Sequence, residues 1–380
     1  MRRLKWLFLL LVLALGLSCG AAAADVTAAR FRDWEEISHQ PEVAMLVDLG
    51  LVSGYGDGAF RPLNCVTRAE VSKIVTGLLT EARPDAAAPG RFRDTAGCWA
   101  EDYIQFCADR GVISGDAEGN FRPGDNITAR ELAKVLLAAL GCRTDGYTGA
   151  QWSESVDADA EQLGLYKGYS KDRSLFITRE DACLLINNAL QCSVITGYGA
   201  DGAPQYALDD MMSPKSLLEY RFQVIPATGV VEANAVADLR KAGAALEGNL
   251  IHIGGYTRDF VVSEQTAADA SLLGRRVTLY ARFYPTFNQV FGMPSVRAEE
   301  ASLTLAGPQE LQAILDYGAM TLSADVLYFE DLMPATAASL DAMVSGDTVT
   351  VVDHEGDGSV DMVFITKAPA AEAPSAEESD

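Results

Sequence analysis

The sequence predicts an α+β protein in which three helical repeats are followed by one or two small β-rich modules. Two observations lead to this expectation. One segment of the first half recurs in strict register, and the second half consists of short β-branched or aromatic runs separated by glycines. A chain of 380 residues has room for two or three domains with ordinary cores.

The repeated segment has the pattern Gly-x-x-x-Gly-x-Phe-x-Pro and occurs at Gly54–Pro62 and again at Gly115–Pro123. Each copy leads into a helix-start motif that ends in a glutamate, Glu70 in the first copy and Glu131 in the second. Recurrence without gaps indicates internal duplication. A looser third copy keeps the helix start at Thr178 but has lost the Phe and Pro of the loop. We therefore expect repeats at 31–80, 92–141 and 150–192, the last one degenerate.

Each repeat is predicted to fold as a helix, a turn-rich loop and a second helix. The second helices begin at Thr67, Thr128 and Thr178, and apolar residues then follow at positions i, i+3, i+4 and i+7. That spacing gives each helix one buried face. Thr67 with Glu70, and Thr128 with Glu131, have the spacing of a capping box, in which each side chain satisfies a backbone N–H at the helix start. Folding alone thus explains most of the motif.

The same residues resemble the S-layer homology domain. The resemblance rests on Phe-x-Asp near the start of a repeat, on the Gly-x-x-x-Gly-x-Phe-x-Pro loop and on Thr-Arg-Ala-Glu at the second helix, and it covers residues 31–192. It implies that the three repeats form a pseudo-threefold helical unit. It also implies non-covalent binding to a secondary cell-wall polymer, which holds secreted proteins on the bacterial envelope.

The resemblance further implies that the arginine of Thr-Arg-Ala-Glu faces an acidic sugar, often one that bears a pyruvyl carboxylate. The matching residues are Arg68 and Arg179. In the second repeat the arginine is Arg130, one position later and about 100° further around the helix, so its groove is expected to be altered or lost. An arginine in the first turn places a fork of donors beside the positive helix end, which suits a carboxylate or phosphate. A solvated arginine is the alternative.

Three further residues are candidates for the same grooves: Glu70 and the arginines of the two Phe-Arg-Pro segments, Arg61 and Arg122. For these two arginines, stabilising the loop is an equally good interpretation. The expected partner is a pyruvylated or otherwise anionic secondary cell-wall polymer, or peptidoglycan. The chain has 53 acidic and 30 basic residues, a net charge of −23, which argues against nucleic acid and anionic lipid. An anionic polymer would have to meet arginines that cluster locally on an acidic body.

Residues 1–24 are predicted to be a signal peptide. Met1–Lys5 is positively charged, Trp6–Leu17 is an apolar run too short to span a bilayer, and Ala22–Ala24 suits cleavage. A lipoprotein signal at Cys19 is the lesser alternative, because Gly16 stands where a leucine is usual. We expect a secreted protein, associated with the cell wall or S-layer, with no transmembrane segment in the mature chain.

Beyond Cys19, six cysteines remain, and all of them lie in the region that holds the repeats, residues 31–192: Cys65, Cys98, Cys107, Cys142, Cys183 and Cys192. An even number in an exported chain permits up to three disulfides. Free thiols are an equal alternative. There is no Cys-x-x-Cys and no histidine near these cysteines, so we expect no metal site among them.

The rest of the chain is predicted to comprise a linker at 193–219, a β-rich region at 220–367 and a disordered acidic tail at 368–380. Within the β-rich region, short runs predict strands at 222–225, 229–232, 250–253, 260–262 and 277–284, and a hairpin formed by 348–352 and 360–366.

One acidic turn in this region has the spacing of a calcium loop, with acids at Asp353, Glu355, Asp357 and Asp361. The twelfth position, where an EF-hand needs a bidentate glutamate, is Phe364, and the flanks read as strands. An acidic hairpin turn is therefore the alternative to weak calcium binding.

Catalysis finds little support in the sequence. The histidines, His39, His252 and His354, are far apart, and no nucleophile elbow, zinc-protease motif or P-loop is present. We expect a protein that is not an enzyme, needs no cofactor, is anchored through its repeats and displays the β-rich region as a structural or binding module. The alternative is a wall-anchored carbohydrate-active hydrolase with its active site in residues 220–367.

Overall fold

The computed structural model describes most of the chain, namely residues 31–82, 84, 90–241 and 244–369. The predicted signal peptide at 1–24 and nearly all of the predicted tail at 368–380 lie outside the described residues. Within the described part, no helix is both long enough and apolar enough to cross a membrane.

The chain divides into two compact units. The first unit comprises the residues up to Ile225 together with the short segment Phe291–Met293. The second unit comprises Pro226–Val290 and the residues from Pro294 onward. Helices dominate the first unit and strands dominate the second, so the α+β class predicted from the sequence is confirmed.

Six α-helices of the described first unit belong to the repeats, two to each. They are α1 (Gln40–Asp48), α2 (Arg68–Leu79), α3 (Glu101–Asp109), α4 (Ala129–Ala139), α5 (Trp152–Gln162) and α6 (Arg179–Leu190). The second helix of each repeat begins directly after Thr67, Thr128 or Thr178, as predicted, and the threonine hydroxyl accepts an N–H of the first turn. Complete capping boxes are present on α2 and α4.

The core of the repeats forms on the faces that the periodicity predicts. All the predicted apolar positions of α2, α4 and α6 are buried. The loop residues Phe60 and Phe121 are fully buried as well, and each packs against the first phenylalanine of its repeat. The ring centres of Phe31 and Phe60 are 5.1 Å apart, and those of Phe92 and Phe121 are 5.3 Å apart. Each such burial contributes about 1.5–3 kcal/mol.

Three backbone hydrogen bonds link the repeats in a closed ring. The N–H of Val66 donates to the carbonyl of Ile177 (3.1 Å), that of Ile177 donates to Ile127 (3.0 Å), and that of Ile127 donates back to Val66 (3.0 Å). These residues occupy the same position in their repeats, directly before the capping threonine. Each repeat is therefore bonded to both of the others.

The helix starts that follow the ring are also bonded between repeats. The first N–H groups of α2, α4 and α6 have no partner within their own helices. Instead they donate to a carbonyl in the loop of another repeat. These bonds run from Arg68 to Asp125, from Arg130 to Arg173 and from Arg179 to Asn64, with N–O distances of 2.9, 3.0 and 2.8 Å.

The segment at 193–219, which the sequence suggests is a linker, is folded as part of the first unit. It contains a two-stranded antiparallel sheet of β1 (Ile195–Tyr198) and β2 (Pro204–Tyr206). The N–H of Ile195 donates to the carbonyl of Leu140 at 2.8 Å, just after α4. The sheet therefore satisfies a carbonyl at the end of a repeat helix.

The strand predicted at 222–225 is wrong in its first residues, because a short helix, α7 (Leu217–Phe222), ends there. Ser216 caps this helix by accepting the N–H of Glu219. Gln223 then adopts a left-handed conformation with a φ of 56°, which ends the helix. The strand starts only at Ile225.

The second unit contains a closed five-stranded barrel and a five-stranded sheet. The barrel has the strand order β3-β4-β5-β7-β6 and is formed by β3 (Ile225–Ala233), β4 (Leu250–Ile253), β5 (Phe260–Val261), β6 (Arg276–Phe283) and β7 (Asn288–Val296). The sheet has the order β10-β9-β12-β11-β8 and is formed by β8 (Ala301–Leu305), β9 (Thr321–Glu330), β10 (Met333–Ala335), β11 (Thr348–Asp353) and β12 (Ser359–Thr366).

Barrel and sheet share one hydrophobic core within this unit. Barrel residues such as Phe260 and Leu279 belong to the same buried cluster as Phe329 and Met362 of the sheet. A second cluster lies between other residues of the sheet and the helix α8 (Pro308–Asp316). The predicted hairpin is present, with β11 and β12 paired antiparallel.

All six cysteines of the repeats are free thiols in the structure. Burial raises the pKa of Cys107 to about 11 and that of Cys183 to about 12. Since the thiolate is the reactive form, these two cysteines act as small apolar side chains at neutral pH.

Replacing Thr128 with alanine is expected to lower the free energy of unfolding of the first unit by about 1 kcal/mol, because it removes the hydroxyl that caps α4. Thr128→Ser keeps a hydroxyl at this position and is expected to retain most of the stability. Urea unfolding followed by tryptophan fluorescence measures both variants, since all four tryptophans precede the second unit. If both variants lose the same free energy of unfolding, the hydroxyl at this position does not stabilise α4.

Candidate functional site

The loops before α2 and α4 are each held in shape by one aspartate from the start of the repeat. Asp33 accepts the N–H groups of Phe60 (2.8 Å) and Arg61 (2.7 Å), and Asp94 makes the same pair of bonds in the second repeat, at 2.7 and 2.6 Å. Burial acts to raise the pKa of both carboxyls, but these N–H groups outweigh it, and each pKa lies below its ordinary value. The two carboxylates therefore stay charged and fix the loops.

The arginine of the first Thr-Arg motif reaches across to the loop of the second repeat. Arg68 donates from Nε to the carbonyl of Phe121 (2.8 Å) and from Nη2 to that of Ser114 (2.7 Å). Its guanidinium carbon lies 4.5 Å from the centre of the Phe121 ring. Two bonds and a cation–π contact thus hold the side chain in one position.

Arg179 has equivalent surroundings, formed by the loop of the first repeat. It donates from Nε to the carbonyl of Phe60 and from Nη2 to that of Ser53, both at 2.9 Å. Its guanidinium carbon lies 4.7 Å from the centre of the Phe60 ring. Arg68 and Arg179, the two arginines that match the family motif, are therefore placed alike.

A cavity of about 320 Å³ opens beside Arg68, and its wall includes Ser114, Glu131, Lys134 and Trp152. We call it the Arg68 groove. Lys134 donates to a backbone carbonyl at 2.8 Å, and its ammonium lies 5.3 Å from the centre of the Trp152 ring. Burial lowers the pKa of Arg68 and of Lys134, and Glu131 acts in the opposite direction on both. The groove therefore places Arg68 and Lys134 near the carboxylate of Glu131.

A second cavity, of about 170 Å³, lies beside Arg179 and includes Ser53, Glu70, Lys73 and Trp99 in its wall. We call it the Arg179 groove. Each of these residues occupies the position in its repeat that its counterpart has in the Arg68 groove. Glu70 lies 3.7 Å from Nη1 of Arg179, and Trp99 is 60% exposed. The structure thus brings the predicted site residues Arg179 and Glu70 together in this groove, whereas Arg68 lies in the other groove, which has a matching wall.

At Arg130 an aspartate occupies the donors instead. Arg130 binds both carboxylate oxygens of Asp157, with N–O distances of 2.8–3.1 Å, and the hydroxyl of Tyr166 donates to the same carboxylate at 3.0 Å. The hydrogen bonds that Arg130 donates to Asp157 raise the pKa of Arg130. Leu184 and Ser38 stand at the positions that correspond to the groove lysine and tryptophan. Asp157, Leu184 and Ser38 thus account for the altered surroundings of Arg130.

The two Phe-Arg-Pro arginines differ in their surroundings. Both have a left-handed backbone, with φ of 57° at Arg61 and 58° at Arg122, which is uncommon for a residue with a side chain. Arg61 pairs with Asp57 at 3.0 Å and does not line the Arg179 groove, so it fits the loop-stabilising interpretation. Arg122 lines the Arg68 groove and is 3.5 Å from Asp116.

Sequence reasoning missed several residues of the grooves. Lys73 and Lys134 are 61 residues apart, as are Gly54 and Gly115 of the two loops. Trp99 and Trp152 are 53 residues apart, as are Gly111 of the second copy and Gly164 of the third. The repeat register therefore contained the signal for both pairs. It contained none for Asp157, because this residue has no acidic counterpart to reveal its role.

The acids of the predicted calcium loop mostly bind backbone groups. Asp353 accepts three N–H groups of its own turn, at 2.7–3.1 Å, and Asp361 accepts the N–H of His354 at 2.9 Å. Among the described residues, no group of three or more His, Cys, Asp or Glu side chains is arranged to hold a metal ion. These bonds favour the acidic turn, and calcium binding by Asp353, Glu355, Asp357 and Asp361 stays a prediction.

Comparison with known families supports the interpretation of the first two repeats as S-layer homology domains. The model of the S-layer homology domain matches residues 30–72 and 91–133. These segments contain Asp33 and Asp94, the aspartates that hold the two loops in shape, and the helix starts at Arg68 and Ala129.

Several relatives are cell-surface proteins. The chain is 26% identical over 219 residues to the surface-layer 125 kDa protein of Lysinibacillus sphaericus, covering 53% of this chain and 18% of that protein. It is 31% identical over 126 residues to the S-layer protein EA1 of Bacillus anthracis, covering 33% and 14%. It is 27% identical over 201 residues to the exoglucanase XynX of Acetivibrio thermocellus, covering 48% and 18%. The chain thus spans less than a fifth of each of these relatives.

The chain therefore contains S-layer homology domains at residues 30–72 and 91–133, as these matches and the loop geometry show. It is secreted and associated with the cell wall or S-layer, as the sequence predicts.

Replacing Asp33 with alanine is expected to lower the free energy of unfolding at pH 7 by about 1–2 kcal/mol, because two loop N–H groups lose a charged acceptor. The folded-state pKa of Asp33 is depressed, so its contribution is present above the ordinary pKa of about 3.9 and is lost as the pH falls through the folded value. The difference between parent and variant should therefore shrink below about pH 4.

Glu36→Ala is the matched control for this measurement, since Glu36 is an exposed acid on the same segment. It is expected to unfold like the parent across the pH range. A difference between Asp33→Ala and the parent that does not change with pH would contradict the proposed clamp.

Proposed function

We propose that the chain is held on the bacterial envelope by binding an anionic secondary cell-wall polymer in the Arg68 and Arg179 grooves. One observation carries this proposal: two cavities within one chain are lined by an arginine, a lysine, a glutamate and a tryptophan at corresponding positions. Each of the two arginines is fixed by the same pair of carbonyl contacts.

The wall of each groove suits an acidic sugar. Nε and Nη2 of Arg68 are used by loop carbonyls, and Nη1 has no hydrogen bond to any described residue. The guanidinium is thus fixed before a ligand arrives, so little conformational freedom is lost on binding. A carboxylate that accepts from such a fixed fork gains a charge-assisted bond. The indole beside it offers a flat apolar surface to the C–H face of a sugar ring.

Local charge reduces the conflict between an acidic chain and an anionic partner. The chain as a whole carries a net charge of −23. At the Arg68 groove, in contrast, the basic side chains of Arg68, Arg122 and Lys134 offset Glu131 in the wall and the two acids beside Arg122, Asp116 and Asp125. Exposed charges further away than about 8 Å are largely screened at physiological salt, so the ligand responds mainly to this nearly balanced set.

The finer architecture is part of the proposal: the three repeats form a pseudo-threefold unit with one groove position at each junction. The ring of bonds between Val66, Ile127 and Ile177 supports this arrangement. Two of the three junctions are open, and Asp157 fills the third.

In this proposal the barrel and sheet of the second unit are the module that the anchored chain displays. A wall-anchored hydrolase is the alternative, in view of the similarity to an exoglucanase. In the second unit, His252 lies 2.8 Å from Asp259 and 3.8 Å from Glu232, and this cluster is where an active site would first be sought. The hydrolase is favoured if the parent chain releases reducing sugar from wall polysaccharide and His252→Gln abolishes this release.

The full chain is expected to sediment with purified cell-wall sacculi that retain their secondary polymer, and to stay in solution after the polymer is stripped. Arg68→Ala and Arg179→Ala are each expected to weaken binding in one groove by about 10- to 150-fold, as expected for a lost charged hydrogen bond. The double variant should no longer sediment with the wall.

Arg110→Ala is the control, because it removes the same charge outside both grooves and should bind like the parent. Thermal unfolding checks that each variant is folded. Since Arg68 also holds the loop, Trp152→Ala provides a second variant that alters the groove without removing the fork. If the double arginine variant sediments as well as Arg110→Ala does, the proposal is wrong.

A further inference from the structure

A third cavity, distinct from the two grooves, adjoins the Arg68 groove. It has a volume of about 450 Å³, within the range of about 300–1,000 Å³ that is typical of ligand pockets. It shares Arg68, Arg122 and Glu131 with the groove, and its remaining wall includes Asn126 and Phe176. The two cavities therefore share part of their wall, including the same two arginines.

Phe176 is the unusual member of this wall, because it is a large apolar side chain that is 57% exposed. Its backbone is firmly held: Phe176 forms a β-bridge with Thr128, and the flanking Ile177 and Leu175 bond to Ile127 (3.0 Å) and Ala129 (3.1 Å). The aromatic ring is thus attached to a fixed backbone and stays open to solvent. A fixed, exposed ring at the edge of a cavity is well suited to bind a ligand with an apolar face.

The other two repeats have no aromatic residue at this position. The β-bridges that correspond to Phe176 with Thr128 are Asn126 with Thr67 and Cys65 with Thr178. Asn126 therefore holds, next to the Arg179 groove, the position that Phe176 holds next to the Arg68 groove. The two grooves differ at this edge although their inner walls match.

We propose that this cavity is a second saccharide subsite, so that the Arg68 groove binds at least two consecutive sugars of an acidic polysaccharide, whereas the Arg179 groove binds one. This inference rests on the proposed function. The acidic sugar lies beside Arg68, Lys134 and Trp152, and the next sugar stacks its C–H face on Phe176.

Arg122 lies between the two subsites and is suited to bind the link between the sugars. Its side chain is 58% exposed, and it is 3.5 Å from Asp116 and 3.7 Å from Asp125. Its backbone N–H is fixed by Asp94 at 2.6 Å. The guanidinium is therefore positioned by the loop but remains accessible to a hydroxyl or an acidic group of the polymer.

The test measures binding by titration calorimetry to the full chain carrying Arg179→Ala, which leaves the Arg68 groove. The probes are secondary-polymer fragments released from sacculi by partial hydrolysis and separated by size into the single acidic sugar, which is the single unit, and fragments of two or more sugars. The longer fragments are expected to bind more tightly than the single unit. Adding Phe176→Ala should weaken the longer fragments by about 2- to 12-fold and leave the single unit unchanged. Phe176→Trp should retain the preference for length.

Leu175→Ala is the matched control, because Leu175 is the neighbouring residue, is also 57% exposed and does not line the cavity. It should bind both probes like the parent. If Phe176→Ala behaves like Leu175→Ala, or if the parent binds both lengths equally, the subsite is refuted while the proposed function stands. If the parent binds no fragment of either length, the proposed function itself fails, and the subsite with it.

Discussion

The closed ring of backbone hydrogen bonds between Val66, Ile127 and Ile177 is the constraint on which the rest of the first unit depends. It places the helix start of each repeat against the loop of another. The N–H groups at these helix starts have no intrahelical partners, and they would be left unsatisfied in an isolated repeat. The grooves arise at the same junctions, so folding and binding depend on the same contacts between repeats.

The three junctions share this backbone arrangement but differ in their side chains. In two of them the arginine lies directly after the capping threonine and binds loop carbonyls through Nε and Nη2. In the third, Arg130 lies one residue later and binds Asp157 instead. A shift of one position on the helix therefore turns a side chain that lines a cavity into one half of an ion pair.

Local features of the first unit could be predicted from the sequence. The starts of α2, α4 and α6 were predicted because capping threonines and a 3.6-residue apolar period act within a few residues. The repeat register also shows which residues correspond to one another. It cannot show that Arg179 meets the loop containing Ser53, because that contact joins residues far apart in sequence and depends on how the repeats assemble. The segment at 193–219 was misjudged for a similar reason: its Gly-rich composition suggests a linker, whereas pairing of β1 with β2 orders it.

The number of single-unit binding sites per chain tests the central claim most directly. Calorimetric titration of the full chain with the single acidic sugar of the polymer should give two sites. Arg68→Ala and Arg179→Ala should each remove one of them, and Arg130→Ala should leave both, because its guanidinium already binds Asp157. Three sites in the parent, or the loss of a site in Arg130→Ala, would contradict the account.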